Sequence, residues 1–155
     1  MKSIKVQDVY ELHGTASAII SGDELLSDVL SRFAYEPGLR SIFLIDSENR
    51  FAGLITRIAI LKWTQYQLTA DREGEATSRE VYNMVAGTMA KSLARGDWTT
   101  LGVKEDATLQ EALDQMVKFS EDVLPVLDEY GRILGDIRLS EILIKAIEVG
   151  KIASK

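Results

Sequence analysis

The chain has 155 residues, a formal net charge of −6, and 46% hydrophobic against 27% charged side chains, the balance of one ordinary domain or two very small ones and not of a disordered chain. Divided at Ser78, both halves carry a similar acidic excess and no run of Lys or Arg, so the basic face that nucleic-acid binding requires is missing, and the absence of cysteine excludes disulfides, thiolate nucleophiles and sulfur-ligated metals. The longest uncharged stretches, His13 to Gly22 and Val81 to Ala90, reach about half of the roughly 20 residues of a membrane helix, and the amino terminus has no signal-peptide core; a cytoplasmic protein without nucleic-acid or membrane partners is expected.

The first β-prone run is Ala18 to Ile20. Asp23 stands where a helix cap belongs, and Leu26, Val29, Leu30 and Phe33 place one apolar stripe on the helix that follows. Pro37 and Gly38 mark a loop within Ala34 to Arg40. From Phe43 to Ile55 the pattern is a short apolar strand, a tight polar turn and a second apolar strand, which predicts a hairpin. A further helix is predicted over Ile58 to Leu68, where Trp63 and Tyr66 lie three apart and suggest packing or a subunit contact. Thr69 to Glu80 reads as a polar connection, and Val81 to Leu93 as an additional helix.

After that the order recurs. Leu101 to Val103 is β-prone, Asp106 stands at a cap position, and Thr108 with Glu111 forms a capping-box pattern. Leu109, Ala112, Leu113 and Met116 repeat the apolar stripe 83 residues on, and Pro125 to Ile137 repeats the hairpin at an offset of 82. Asp46, Arg50, Gly53 and Ile55 meet identical residues at Asp128, Arg132, Gly135 and Ile137. Asn49 faces Gly131, the two residue types most at ease in a left-handed turn. A last helix is predicted over Ser140 to Val149. The unit is strand, helix, strand, strand, helix, written twice.

Nothing in this order assembles a catalytic or metal-ligating site, and a non-enzyme is expected. His13 is the only histidine and reads as an exposed, non-catalytic loop residue. Glycine loops for phosphate or dinucleotide binding are missing. Glu24 with Asp28, and Glu121 with Asp122, read as solvated edges of helices. Arg50 and Arg132 follow the turns and read as solvated; Trp98 reads either as the cover of a cleft or as core packing.

The run VKEDATLQEALDQMVKFSEDVLPVLDEYGRILGDI, Val103 to Ile137, resembles the cystathionine-beta-synthase (CBS) domain pattern. Its marks are Asp and Thr before a Leu-x-x-Ala-Leu helix, then Leu-Pro-Val-x-Asp, a glycine turn and a Gly-x-Ile ending. Ser41 to Asp46 is similar, with Phe43 where the proline would be. The resemblance implies an α+β fold of two βαββα repeats packed through their sheets about a pseudo-twofold axis. Residues 1–80, with the linker, would form the first repeat and 81–155 the second, together one Bateman module. It also implies clefts for adenosine-containing ligands such as AMP, ADP, ATP or S-adenosylmethionine, with no catalytic cofactor, and pairing of modules into a homodimer.

In that family the ligand motif is Gly, an apolar residue, Ser or Thr, two spacers and Asp, at a helix start where N–H groups favour phosphate. Carried onto this chain, the first motif keeps Thr56 but has Ala59 for the ribose aspartate, and Arg57 is a phosphate candidate. The second has Arg138 for the hydroxyl and Glu141 for the aspartate. Glu141 becomes the ribose acceptor, and Arg138 either meets phosphate or fills the pocket. Ile42 and Phe43, with Leu124 and Pro125, are the strand residues that would cover the base. Each also has a plainer reading: Thr56 and Ser140 as helix caps, Arg138 with Glu141 as a surface ion pair, Leu124-Pro125-Val126 as core strand with an edge proline. Two functions are therefore carried forward: a sensor of an adenine nucleotide or adenosyl compound that signals to a separate effector protein, or a ligand-free dimerisation scaffold with degenerate clefts.

Overall fold

The computed structural model describes residues 4–10, 17–71 and 87–153. Among them the chain forms β1 (Ser17–Ser21), α1 (Leu26–Tyr35), β2 (Ser41–Ile45), β3 (Phe51–Thr56), α2 (Arg57–Asp71), β4 (Val103–Lys104), α3 (Leu109–Phe119), β5 (Val123–Leu127), β6 (Ile133–Arg138) and α4 (Leu139–Ala153), with 3₁₀ turns at Val6–Asp8 and Ala90–Ser92. The strand–helix–strand–strand–helix order stands twice, in two three-stranded sheets. His13, and most of the polar connection and additional helix expected over 69–93, lie outside the described residues; the described end of that helix is the 3₁₀ turn. No helix among the described residues is long and apolar enough to cross a membrane.

Contacts divide the chain into two compact units, neither of them continuous. One comprises Thr15–Glu48 and Ala52–Gly96; the other comprises Met1–Gly14, Asn49–Phe51 and Asp97–Lys155.

In the first unit the sheet order is β1-β2-β3, with β1 parallel to β2 from Ser17↔Ser41 to Ser21↔Ile45. A parallel pair needs a crossover, which α1 provides. Its stripe of Leu26, Val29 and Phe33 is buried against Leu39, Ile42, Leu44, Ile55 and Ala90, with Leu30 and Trp63 partly buried beside it. Each such side chain contributes roughly 1.5–3 kcal/mol on leaving water. Asp23 does not cap the helix. The N-cap is Leu25, without a side-chain bond, and the Leu26 N–H donates to the Thr88 carbonyl at 2.8 Å while the Ala90 N–H donates to the Glu24 carbonyl at 2.9 Å. Backbone at Thr88 thus satisfies the first N–H of the helix.

The second unit has the order β4-β5-β6, β4 parallel and β6 antiparallel to β5. Leu109, Ala112 and Met116 line the buried side of α3. Its N-cap is Thr108, not Asp106: Thr108 Oγ1 accepts from the Glu111 N–H at 3.1 Å, and Glu111 accepts from the Thr108 N–H at 2.9 Å. The chain's beginning reinforces this start. Leu109 N–H donates to the Ile4 carbonyl at 3.0 Å, Val6 N–H to the Ala107 carbonyl at 2.8 Å, and Val6 has no exposed surface.

Asn49 and Gly131 both adopt left-handed conformations, at φ 61° and 84°, as their types in a tight turn predict. A Cβ on Gly131 would fall 2.8 Å from Trp98 Cβ and Cγ. Trp98 therefore covers this turn and, 39% exposed, is not a core residue. The arginines after the turns are not merely solvated: Arg50 lies over the Trp98 ring, 5.3 Å from its centroid, and Arg132 Nε bonds Asp128 Oδ2 at 2.8 Å.

Val6→Ala should lower the stability of the whole chain by about 1–3 kcal/mol, read as an earlier urea midpoint, although residue 6 precedes β1. Tyr10 provides a pH signature. Its hydroxyl donates to Glu105 Oε1, and burial, then that hydrogen bond and the carboxylate's charge, raise the phenol pKa from 10.0 to about 12. Stability from this group is complete below pH 10 and is lost as pH rises from 10 towards 12, because the unfolded chain ionises first. A phenolate absorbance titration should show one late tyrosine, absent in Tyr10→Phe.

Candidate functional site

Each repeat turns from its last strand directly into a helix, and the motif residues sit at these two junctions. In the first unit, β3 runs into α2 at Thr56-Arg57. Thr56 Oγ1 accepts from the Ala59 N–H at 3.2 Å, so the hydroxyl caps α2 as well as standing at the motif position. Arg57 Nε donates to the Leu39 carbonyl at 2.8 Å, and Nη2 to the carbonyls of Glu36 and Pro37 at 3.1 and 3.3 Å. Its guanidinium also stacks over Phe33, 5.3 Å from the ring centroid. The phosphate candidate of the sequence thus has its cation on the carboxyl end of α1, where a helix favours positive charge.

Ile42 and Phe43, expected beside a base, are 0% and 1% exposed, and Ile42 belongs to the core around α1. Phe43 pairs with Ile19 inside a β1–β2 ladder five residues long. A proline here would remove a backbone donor from a strand paired along its whole length, which gives a physical reason for phenylalanine at this position. In the second unit β4 has only two residues, and its pairing with β5 starts at Val126. Pro125 is therefore in the middle strand by order, yet lies beyond the end of β4, where no ladder bond to that strand is lost. Gly102, with φ 127°, immediately precedes β4, and a Cβ on it would fall 3.2 Å from the Pro125 carbonyl oxygen. Leu124 and Pro125 are buried.

The second junction, β6 into α4, is the more polar. Arg138 closes β6, opposite Val123, and the Leu139 N–H donates to the Asp122 carbonyl at 2.8 Å. Glu141 lies in the first turn of α4, where a carboxylate complements the helix dipole. Its Oε1 accepts from the Arg138 backbone N–H at 3.0 Å and from Nε at 3.2 Å. The pair expected on the surface exists, but it is largely covered, the side chains being 20% and 11% exposed. Ser140, read as a cap, lies inside the first turn; the Arg138 N–H and Glu141 make the capping contact instead.

A residue missed in the sequence completes this cluster. Asp136 in β6 is 3% exposed, and its Oδ1 sits 3.5 Å from Arg138 Nε, with no hydrogen-bond donor among the described residues. The signal was available: 82 residues earlier the position is Leu54, fully buried, so an aspartate in an apolar strand had a reference within the chain. Two clefts of about 410 and 370 Å³ open beside α1 and beside α3, and neither includes a junction residue.

The βαββα order thus stands twice, each copy ending in a strand-to-helix junction. Residues 9–66 and 100–148 match the CBS domain family, and the chain belongs to it. A 17.7 kDa protein encoded in the bps2 3′ region of Acidianus ambivalens is 27% identical over 114 residues, covering 74% of this chain and 58% of that protein; the chain thus matches less than two thirds of that relative. A CBS domain-containing protein of Thermotoga maritima superposes with a TM-score of 0.69 at 24% identity, over 94% of this chain and 95% of the other. CBSX2, solved in complex with AMP, gives 0.69 at 15% identity over 95% and 98%. The CBS domain pair of protein MJ0100, solved with 5′-methylthioadenosine and S-adenosyl-L-methionine, gives 0.62 at 14% over 95% and 97%. These likenesses establish the fold.

Arg57→Ala should cost about 1 kcal/mol, measured by chemical denaturation. A substitution that leaves stability unchanged would show that the three carbonyl contacts are not formed in solution.

Proposed function

We propose that the chain is a regulatory Bateman module, its repeats being residues 1–80 and 81–155, that senses an adenosine-containing ligand and passes the change in occupancy to a separate effector protein. The observation that carries this reading is Glu141, an acceptor carboxylate on the first turn of α4, at the family's ribose position and in the same unit as the buried strand residues Leu124 and Pro125. The complexes of CBSX2 with AMP and of the MJ0100 pair with adenosyl compounds support the ligand class. Ile42, Phe43 and Thr56 are proposed to line the first site, with Arg57 at its helix start. Leu124, Pro125, Arg138 and Glu141 are proposed for the second. A ligand favours whichever arrangement of the module it binds better, and that differential affinity is the signal.

The reading includes a cytoplasmic homodimer that does no chemistry. Apolar strips left exposed on two helices support the pairing: Ile58, Leu61 and Tyr66 on α2, and Leu143, Ile144 and Ile147 on α4.

A second reading, the ligand-free scaffold, is favoured by Ala59 in place of the first carboxylate and by the Arg138–Glu141 pair closed in the second. A thermal-shift panel of AMP, ADP, ATP, S-adenosylmethionine and NAD separates the two. A ligand at 100 times its Kd stabilises by about 2.7 kcal/mol, a rise of several degrees in Tm. The sensor predicts such a shift with at least one adenosine compound; the absence of a shift with all of them, in a chain that self-associates, establishes the scaffold.

A further inference from the structure

Asp136 and Arg138 differ from their first-repeat counterparts together. Where the second repeat has Gly135-Asp136-Ile137-Arg138, the first has Gly53-Leu54-Ile55-Thr56. Leu54 and Asp136 are both buried, so the second repeat places a carboxylate where the first packs an isobutyl group. A buried carboxylate is strongly unfavourable without a cation, and Arg138 is the cation beside it. Its Nε lies 3.5 Å from Asp136 Oδ1 and 3.2 Å from Glu141 Oε1. The guanidinium therefore has two carboxylates on one donor side, and one of them is the group to which a ribose diol would donate.

We propose that Arg138 is an internal competitor for Glu141, held in the site by Asp136, and that it sets how much ligand the second-repeat site requires. This inference rests on the adenosine reading of that site. An incoming ribose takes Glu141 Oε1, and Arg138 transfers to Asp136, whose Oδ1 already lies 3.5 Å from it and accepts no hydrogen bond among the described residues. Asp136 is a positioning residue: it anchors the plug in the empty site and receives it when ligand enters. Without Asp136 a displaced Arg138 would lose the Asp136 carboxylate as well as that of Glu141; without Arg138, Asp136 would be left buried without that cation. This interdependence accounts for the two residues being present together in one repeat and absent together from the other.

Adenosine is the informative probe, because it has the diol and no phosphate to attract an arginine. The variant Asp136→Leu/Arg138→Thr installs the first repeat's pair and removes the buried Asp136 carboxylate together with its cation, while Glu141 keeps the backbone N–H of residue 138 as a donor, so it is expected to fold. Calorimetric titration should show adenosine binding at least tenfold tighter than to the unaltered chain, with Glu141→Gln added to the double variant removing the gain. Arg138→Lys, which keeps a cation beside Asp136, should show a smaller gain and protects the test if the double variant does not fold. Equal adenosine affinity in the unaltered chain and both variants would overturn the plug and leave the adenosine reading standing. AMP binding that falls in the double variant while adenosine is unchanged would overturn it in favour of a phosphate contact. No binding of adenosine or AMP by any form would remove both the plug and the sensor.

Discussion

A helix begins with backbone N–H groups that have no partner within the helix, and the first of these in α1 and in α3, on Leu26 and on Leu109, is met by a carbonyl from far along the sequence. Thr88 and Ala90 pair with residues 24–26, and Ile4 and Val6 pair with residues 107–109. Both capping segments run on into a 3₁₀ turn with one fully buried small apolar side chain, Ala90 or Val6. The hydrogen bonds fix where each helix starts, the start fixes which side of the helix faces its sheet, and the sheet sets the position of the strand that leads into the ligand-motif junction. Everything later in each unit depends on this closure.

From that common frame the two junctions differ in chemistry. The first spends its polar groups on structure, with Thr56 capping α2 and the Arg57 guanidinium on three carbonyls of the α1–β2 connection. The second collects charge: one cation between two carboxylates, the three side chains 20% exposed or less. Duplication has preserved the backbone while the side chains have diverged to the point where one junction is mostly scaffold and the other mostly electrostatics.

Much of the fold was legible because it is written in local terms. Apolar spacing located α1 and α3, the turn types of Asn49 and Gly131 located both hairpins, and Thr108 with Glu111 announced the start of α3. Asp23 misled for a physical reason: a side-chain cap is a local signal, but the Leu26 N–H is taken by Thr88, and no local pattern records a partner so far along the chain. The shortness of β4 was equally hidden, since it is a property of the pairing with β5 and not of any local pattern, and with it the reason that Pro125 is tolerated in a middle strand. At the site, spacing identified Arg138 and Glu141 as neighbours. Their burial was not readable, and Asp136 escaped notice although its counterpart in the repeat is the apolar Leu54, because an aspartate taken alone in a strand resembles a solvent-facing alternation.

The interleaving of the two units has a consequence for how the protein is made. When the ribosome has released the first eighty residues, α1 still lacks the carbonyl of Thr88, and the opening segment around Val6 still lacks the strand and helix it will close. The nascent chain must hold an apolar surface in waiting until the later residues emerge, which slows completion by the loop-closure entropy of long-range contacts. A gene split midway between the copies would give two polypeptides each missing its clasp, able to finish folding only by finding the other.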